Sequence, residues 1–181
     1  HGDHCFGLLG LLSTFGMLGR TSRLKVFAPE CYASLFEQQM KFFMQGMTYE
    51  IEFVPVDTTQ QKVVYEDHSV TVETVPLRHR VPCCGYIFRE KPTLPHIRRD
   101  MIDYYGIPLS QINNIKNGAD WTTPEGDIVP HSRLVEPADA PRSYAYCSDT
   151  CYLPDLYERV KDVTVLYHES TYTSENEDRA K

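Results

Sequence analysis

Two imidazoles and a carboxylate lie within the first four residues, His1-Gly2-Asp3-His4. Imidazole nitrogens and carboxylate oxygens are donors that Zn²⁺ accepts, and Gly2 lets the chain turn tightly enough for the three side chains to converge. The segment predicts a metal-binding loop, anchored by the apolar residues that follow it. A surface loop or the remnant of a tag is the alternative, although Cys5-Phe6-Gly7-Leu8-Leu9 continues without a linker.

Three further segments with ligand-type side chains follow predicted strands. They are His79 after Val70–Val75, Asp149 after Tyr144–Cys147, and His168-Glu169 after Val163–Tyr167. Because α/β folds place ligands and metals at the carboxyl ends of strands, these residues are candidates for the same site as the first loop. Two structural roles are the alternatives, a hydrogen-bonded histidine at His79 and a helix N-cap at Asp149.

Alternating strands and helices are predicted to position these side chains. Helices are predicted at Cys5–Ser13, Glu30–Gln45, His96–Tyr105 and Leu153–Val160. Further strands are predicted at Leu24–Phe27, Glu50–Val54, Lys62–Tyr65 and Gly85–Arg89. The alternation and the β-branched residues favour an antiparallel or mixed sheet, and the apolar Val163–Tyr167 predicts a buried strand. The segment Glu90–Val135 has five prolines and two turn signals, which indicates an excursion from the main body.

The composition excludes several classes of protein. The 181 residues carry 18 Lys and Arg against 25 Asp and Glu, a formal net charge of −7, which rules out a globally basic nucleic-acid binder. No apolar run approaches the roughly 20 residues that a membrane span needs. The six cysteines form no Cys-x-x-Cys pair. Because no secretion signal is visible either, they are predicted to be free thiols in a reducing cytoplasm.

Several short motifs occur in one order along the chain. They are His1-Gly2-Asp3-His4 with the apolar run after it, Pro76-Leu77-Arg78-His79, Gly85-Tyr86, Ile112–Gly118, Ser148-Asp149-Thr150 and His168–Tyr172. In this order they resemble the ribonuclease Z family, tRNA 3′-processing endonucleases of the metallo-β-lactamase fold. The resemblance covers essentially the whole chain. It implies an α/β fold of four layers, the αββα sandwich, in a single domain over residues 1–181.

The resemblance also implies roles for the candidate residues. His1 and His79 would bind one zinc ion, Asp3 and His4 a second, and Asp149 would bridge the two ions. Asp3 would also orient the attacking hydroxide or accept its proton. Glu169 is similar to the acidic residue that holds a histidine of the family, which protonates the leaving oxygen; a structural cap is the alternative for Glu169.

The segment 90–135 resembles the protruding exosite arm with which the family grips tRNA. Between Arg78 and Arg99 six Lys and Arg residues occur with one Glu, a local balance of +5. A local patch is sufficient for phosphate contacts, whereas a solvated basic face is the alternative. The implied RNA contacts are Arg89, Lys91, Arg98, Arg99 and Lys116. The implied function is removal of the 3′ trailer from precursor tRNA, leaving a 3′-hydroxyl, by a cytoplasmic homodimer with two zinc ions per chain.

The chain departs from the family's pattern at both ends. The pattern begins with a histidine two positions before His1, and it continues past Lys181 with a His-Ser-Thr motif and a metal-binding histidine. Their absence predicts a domain truncated at both ends, the middle of a longer protein. Within the chain, Pro108-Leu109-Ser110-Gln111 stands where many members carry a Gly-Pro pair.

Two other functions stay open. One is another dinuclear-zinc hydrolase of the same fold, arylsulfatase-like or a small phosphodiesterase, which would have no use for a basic arm. The other is a non-catalytic RNA-binding homologue, which would be free to lose Asp3, His4, His79 and Asp149.

Overall fold

Helices and strands alternate in a computed structural model that describes residues 2–176 and 178. The α-helices of these residues are α1 (Phe6–Met17), α2 (Glu30–Phe43), α3 (Arg99–Tyr105), α4 (Leu109–Lys116), α5 (His131–Leu134) and α6 (Leu156–Arg159). The strands are β1 (Leu24–Pro29), β2 (Ile51–Val56), β3 (Val63–Glu66), β4 (Val70–Pro76), β5 (Cys84–Glu90), β6 (His96–Ile97), β7 (Trp121–Thr122), β8 (Ile128–Val129), β9 (Val135–Glu136), β10 (Ser143–Cys147) and β11 (Val165–His168). The predicted α/β class is confirmed.

The main sheet has five strands in the order β11-β10-β5-β4-β3. It is mixed, as predicted, because β10 and β11 pair in parallel whereas β3 and β4 form a hairpin. The turn of that hairpin is closed by a 3.0 Å hydrogen bond from the Asp67 amide to the Val70 carbonyl. Strand β2 does not join this sheet. It pairs in parallel with β1, since α2 lies between the two strands in the chain and supplies the crossover that a parallel pair requires.

The chain divides into two compact units. The first contains the described residues up to Glu66, Val72–Phe88, and the described residues from Tyr144 onward. Its core consists of Val75, Ile87, Ala145, Cys147, Leu156 and Val160. Helix α2 packs against β1 and β2, with the ring of the buried Phe36 5.7 Å from the ring of Phe53.

Helix α1 of the first unit is anchored at its middle. Leu12 is fully buried, and its carbonyl oxygen accepts a 2.7 Å hydrogen bond from the hydroxyl of Tyr49. A helical turn at Gly2–His4 precedes α1, and the Cys5 amide donates to the Gly2 carbonyl at 3.0 Å. The anchored helix therefore holds the first candidate loop in place.

The second unit contains Asp67–Thr71 and Arg89–Ser143. It has its own core of Ile107, Ile115, Val129 and Leu134, with Trp121 and Tyr105 packed against it. Two short antiparallel pairs, β6 with β9 and β7 with β8, complete it. The segment 90–135, predicted as an arm, falls within this unit, and its role as an arm stays a prediction.

Three predicted elements differ from the structure. The helix predicted at His96–Tyr105 begins only at Arg99, because His96 and Ile97 pair with β9. The helix predicted at Leu153–Val160 is limited to the single turn of α6. The strand predicted as buried at Val163–Tyr167 is β11, whose four residues are all exposed. It is one of the two edge strands of the sheet, and none of its residues belongs to the core of the first unit. Within the described residues, no helix has the length and apolarity that crossing a membrane requires.

Candidate active site

Three strands of the first unit end at one edge of the main sheet. Strands β10 and β11 run in parallel, and the loops that follow β4 and β10 are hydrogen-bonded to each other, with the Cys151 amide 2.9 Å from the Arg78 carbonyl. The carboxyl ends of β4, β10 and β11 therefore lie together. This is the position at which open α/β sheets bind ligands.

The first loop meets this edge through His4. Its Nε2 atom lies 3.1 Å from an Asp149 carboxylate oxygen and 3.6 Å from an Asp3 carboxylate oxygen. The Asp149 side chain is 26% exposed and that of Asp3 is 74% exposed. The first loop and the loop after β10 thus bring one imidazole and two carboxylates together.

An open pocket collects the candidate residues of all four loops. It is lined by Asp3, His4, Arg78, His79, Arg80, Ser148, Asp149, Thr150, Cys151, Tyr152 and residues 167–172. Five predicted site residues are among these, namely Asp3, His4, His79, Asp149 and Glu169. The sixth, His1, lies outside the described residues.

The backbone of Asp149 has a left-handed conformation, with φ of 58°. Such a conformation costs a non-glycine residue free energy, and Asp adopts it more readily than most residues do; Asp162, outside the pocket, has a similar φ of 61°. The Asp149 carbonyl accepts a 3.3 Å hydrogen bond from the Cys83 thiol, and burial raises the pKa of that thiol to about 11. The alternative role of Asp149 as a helix N-cap is wrong, because Asp155 occupies that position before α6.

The carboxylate of Glu169 is held by two donors. One of its oxygens accepts a hydrogen bond from the Thr150 amide, and the other accepts one from the Thr171 hydroxyl at 2.8 Å. Glu169 therefore connects the loop after β11 to the loop that carries Asp149. These contacts correspond to the structural alternative for Glu169, and a role in proton transfer stays a prediction.

The donors at the pocket suit a zinc-like ion in chemistry and spacing. Two ligands of a tetrahedral zinc ion are roughly 3.4 Å apart, given ligand distances of about 2.1 Å, which is close to the 3.1 and 3.6 Å measured from His4. Residues 2–176 and 178 nevertheless contain no group of three or more His, Cys, Asp or Glu side chains that could hold an ion. The pairs fit, but the described residues do not form a full ligand set.

The residues predicted to contact RNA all lie in the second unit. Arg98 is paired with Asp100 at 2.6 Å, and this hydrogen bond lowers the pKa of Asp100 below its ordinary value. Arg99 is exposed at the start of α3, and Lys116 is the last residue of α4. Between Arg89 and Ser143 there are seven Lys and Arg and eight Asp and Glu residues. The positive charge is thus concentrated in the stretch before α3.

Arg78, Arg80 and Thr150 are among the pocket residues that were not predicted as site residues. Arg78 and Arg80 flank His79, and their position next to a candidate ligand is a signal that the sequence contains. Thr150 follows Asp149 directly, but its contacts are to residues far away in the sequence. Such contacts become visible only in the folded chain.

No family model matches the chain, but curated proteins do. The ribonuclease Z of Phocaeicola vulgatus is 51% identical over 181 residues, which is 100% of this chain and 59% of that protein. The ribonuclease Z of Porphyromonas gingivalis strain W83 is 42% identical, again over 100% of this chain and 60% of that protein. Over all 181 residues, the chain matches ribonuclease Z. The resemblance stated from its motifs is thereby confirmed.

The ribonuclease Z relatives are longer than this chain, which spans about three fifths of their length. Among solved structures, human tRNase Z, short form, is similar with a TM-score of 0.56 and 15% identity. The similarity covers 99% of this chain and 58% of the human one. It shows that the fold is of the metallo-β-lactamase type.

Proposed function

We propose that the protein containing this chain is a metal-dependent endoribonuclease of the ribonuclease Z type. It removes the 3′ trailer from precursor tRNA and leaves a 3′-hydroxyl on the tRNA. The observation that carries the proposal is the 3.1 Å approach of His4 to Asp149 in a pocket that Asp3, His79 and Glu169 also line. The match of the whole chain to ribonuclease Z relatives supports it.

In this proposal, His1, Asp3, His4, His79 and Asp149 would hold two zinc ions per chain, and Asp149 would serve as a ligand to both. Two such ions, when bound, clamp a phosphodiester and make water a nucleophile near neutral pH. Asp3 orients the attacking water and accepts its proton. The bond between phosphorus and the tRNA 3′-oxygen breaks, and that oxygen takes up a proton from a donor that Glu169 positions.

RNA binding, assembly and location complete the proposal. Arg89, Lys91, Arg98, Arg99 and Lys116 of the second unit bind phosphates of the tRNA, because cationic side chains supply most of the affinity for nucleic acids. The protein is a homodimer in the cytoplasm. All six cysteines are thiols, which is compatible with a reducing compartment.

Cleavage of precursor tRNA by the complete protein tests the proposal. With Zn²⁺ present, we expect the wild-type protein to release the trailer and His79→Ala to lose this activity. His68→Ala is the matched control, because His68 is an exposed histidine in the β3–β4 turn, and its activity should stay within about twofold of the wild type.

The alternatives predict different results in this assay. Hydrolysis of bis(p-nitrophenyl) phosphate with precursor tRNA left intact would favour a small-substrate hydrolase. Binding of precursor tRNA without cleavage of either substrate would favour a non-catalytic RNA-binding homologue.

A further inference from the structure

Thr150 is hydrogen-bonded within all three loops that follow the carboxyl ends of β4, β10 and β11, where the candidate site lies. Its hydroxyl accepts a 3.2 Å hydrogen bond from the Arg78 amide and donates a 2.9 Å hydrogen bond to the Cys151 carbonyl. Its own amide donates to the Glu169 carboxylate. The residue is only 7% exposed. The loops after β4, β10 and β11 are therefore joined at one buried residue, through its hydroxyl and its backbone amide.

These hydrogen bonds connect the ends of two strands, β4 and β10, that are not neighbours in the sheet. Strand β5 lies between β4 and β10 in the sheet order, so the ends of β4 and β10 are about 9–10 Å apart at the usual strand spacing. Ladder hydrogen bonds do not connect them directly. The bonds from Arg78 to Thr150, and from Cys151 back to the Arg78 carbonyl at 2.9 Å, connect the two loops.

The residues next to these contacts are the candidate ligands. Asp149 precedes Thr150, and His79 follows Arg78 in the chain. We infer that Thr150 is a positioning residue, whose hydroxyl sets the distance between Asp149 and the His79 loop and thereby tunes the affinity of the site for its metal ions. This inference rests on the proposed metal-dependent function and assigns no contact between Thr150 and the substrate.

The hydroxyl, rather than the size of the side chain, performs this role. A hydroxyl group has one hydrogen to donate and two lone pairs that can accept. Here the hydrogen is donated to the Cys151 carbonyl, and one lone pair accepts the hydrogen bond from the Arg78 amide. An isosteric apolar side chain would leave the Arg78 amide, whose hydrogen bond to Thr150 is partly buried, without its acceptor, and such unpaired groups are costly. The loop would then relax and move Asp149 away from His79.

A zinc titration of the complete protein tests the inference, with a competing chelator to measure affinity. Thr150→Val removes the hydroxyl and retains the shape, and we expect zinc affinity to fall about 10- to 100-fold, as for other outer-shell partners of metal ligands. Thr150→Ser retains the hydroxyl and should bind zinc within about threefold of the wild type. In precursor-tRNA cleavage, Thr150→Val should lower kcat and leave KM nearly unchanged.

Three outcomes would overturn the inference. Equal zinc affinity of Thr150→Val and wild type would leave the proposed function intact and remove the role of Thr150. An equal loss of zinc affinity in Thr150→Ser and Thr150→Val would show that the packing of the side chain matters and its hydroxyl does not. If the wild type binds no zinc, the proposed function fails together with the inference.

A second measurement decides the case in which Thr150→Val does not fold. Hydrogen exchange of the wild-type protein reports on the Arg78 amide, which should be protected if the Thr150 hydroxyl accepts its hydrogen bond. Rapid exchange at Arg78 would overturn the inference, whatever the behaviour of the variants.

Discussion

Of the two carboxylates near His4, that of Asp3 is the more exposed, with 74% of its side-chain surface open to solvent. A carboxylate in this position can reach both the imidazole of His4, 3.6 Å away, and a substrate that enters the pocket. This accessibility suits a residue that binds an ion and also handles a proton of the attacking water.

We expect Asp3→Ala in the complete protein to abolish cleavage of precursor tRNA and to leave its binding largely intact. Removal of a ligand that also accepts a proton should lower kcat on the order of 10³-fold or more, whereas affinity would come from the cations of the second unit. Single-turnover cleavage and filter binding measure the two effects separately.

Asp57→Ala is the control for this experiment. The Asp57 carboxylate accepts a 2.7 Å hydrogen bond from the Thr59 hydroxyl, and Asp57 is not among the pocket residues. Near-normal turnover of Asp3→Ala would contradict the role of Asp3, and a rate loss in Asp57→Ala as well would indicate a general effect of removing a carboxylate.

At the scale of elements, the close approach of β5 and β10 depends on Gly85. A Cβ atom at this position would lie 2.5 Å from the Tyr146 carbonyl oxygen and 3.2 Å from the Cys147 sulfur. Both atoms belong to the strand that leads directly into Asp149, so a larger residue would push β10 away at the site edge of the sheet.

We expect Gly85→Ala to lower the free energy of unfolding by about 1–3 kcal/mol, the usual cost of overpacking, and to weaken zinc binding. Gly10→Ala is the matched control, because a Cβ atom at Gly10 would meet no other atom within 4 Å and alanine favours α1 by up to about 1 kcal/mol. Urea unfolding measures both changes. Equal stability of Gly85→Ala and the wild type would contradict the predicted strand contact.

An ion pair at the start of α3 holds one of the cations that are predicted to contact RNA. Asp100 holds Arg98 in an ion pair at 2.6 Å, so Asp100→Asn should release a cation for the RNA. We expect tighter binding of precursor tRNA and a plot of log affinity against log salt that is steeper by about one unit. Binding measured at several salt concentrations checks this.

Asp103→Asn separates release of Arg98 from a simple change in charge. It removes one negative charge from the same helix without affecting the pair of Arg98 and Asp100. If the two variants bind tRNA alike, the net charge of α3 matters and the ion pair does not.

At the scale of the whole molecule, the core of the second unit limits which variants can test RNA binding without unfolding that unit. Deletion of residues 96–116 is one way to test an RNA-binding arm. Ile107 and Ile115 lie in that range and form half of the core that also contains Val129 and Leu134. The deletion would therefore unfold the second unit, and single charge substitutions on its surface are the better test.

The number of zinc ions that the complete protein binds can be predicted from the proposed ligands. We expect two zinc ions per chain at saturation, because the proposed ligands divide into two groups that share Asp149. Elemental analysis after gel filtration measures the ratio. Asp149→Ala should lose both ions, whereas Asp155→Ala, which removes an exposed carboxylate paired with Arg159, should retain both. A ratio of one or less in the wild type would contradict the two-ion site.

The class of the fold, most of the strands and helices, and the residues with suitable chemistry could be predicted from the sequence. These features depend on local pattern, since periodicity and turn residues act over a few positions. The ordered motifs also carried the resemblance to ribonuclease Z, and a ribonuclease Z is 51% identical to the chain over 181 residues. Pairing partners were harder to predict, and β2 pairs with β1 instead of joining the main sheet.

The contacts among the candidate residues, by contrast, depend on the packing of the folded chain. The contact of His4 with Asp149 and the hydrogen bond of Arg78 to Thr150 join residues far apart in the chain, so no local pattern contains them. The exposure of β11 depends on which elements cover that strand in the folded chain, and the ion pair of Arg98 depends on side-chain geometry at the start of α3. Sequence determines which chemical groups are present, whereas the packing of strands and loops sets the distances at which they act.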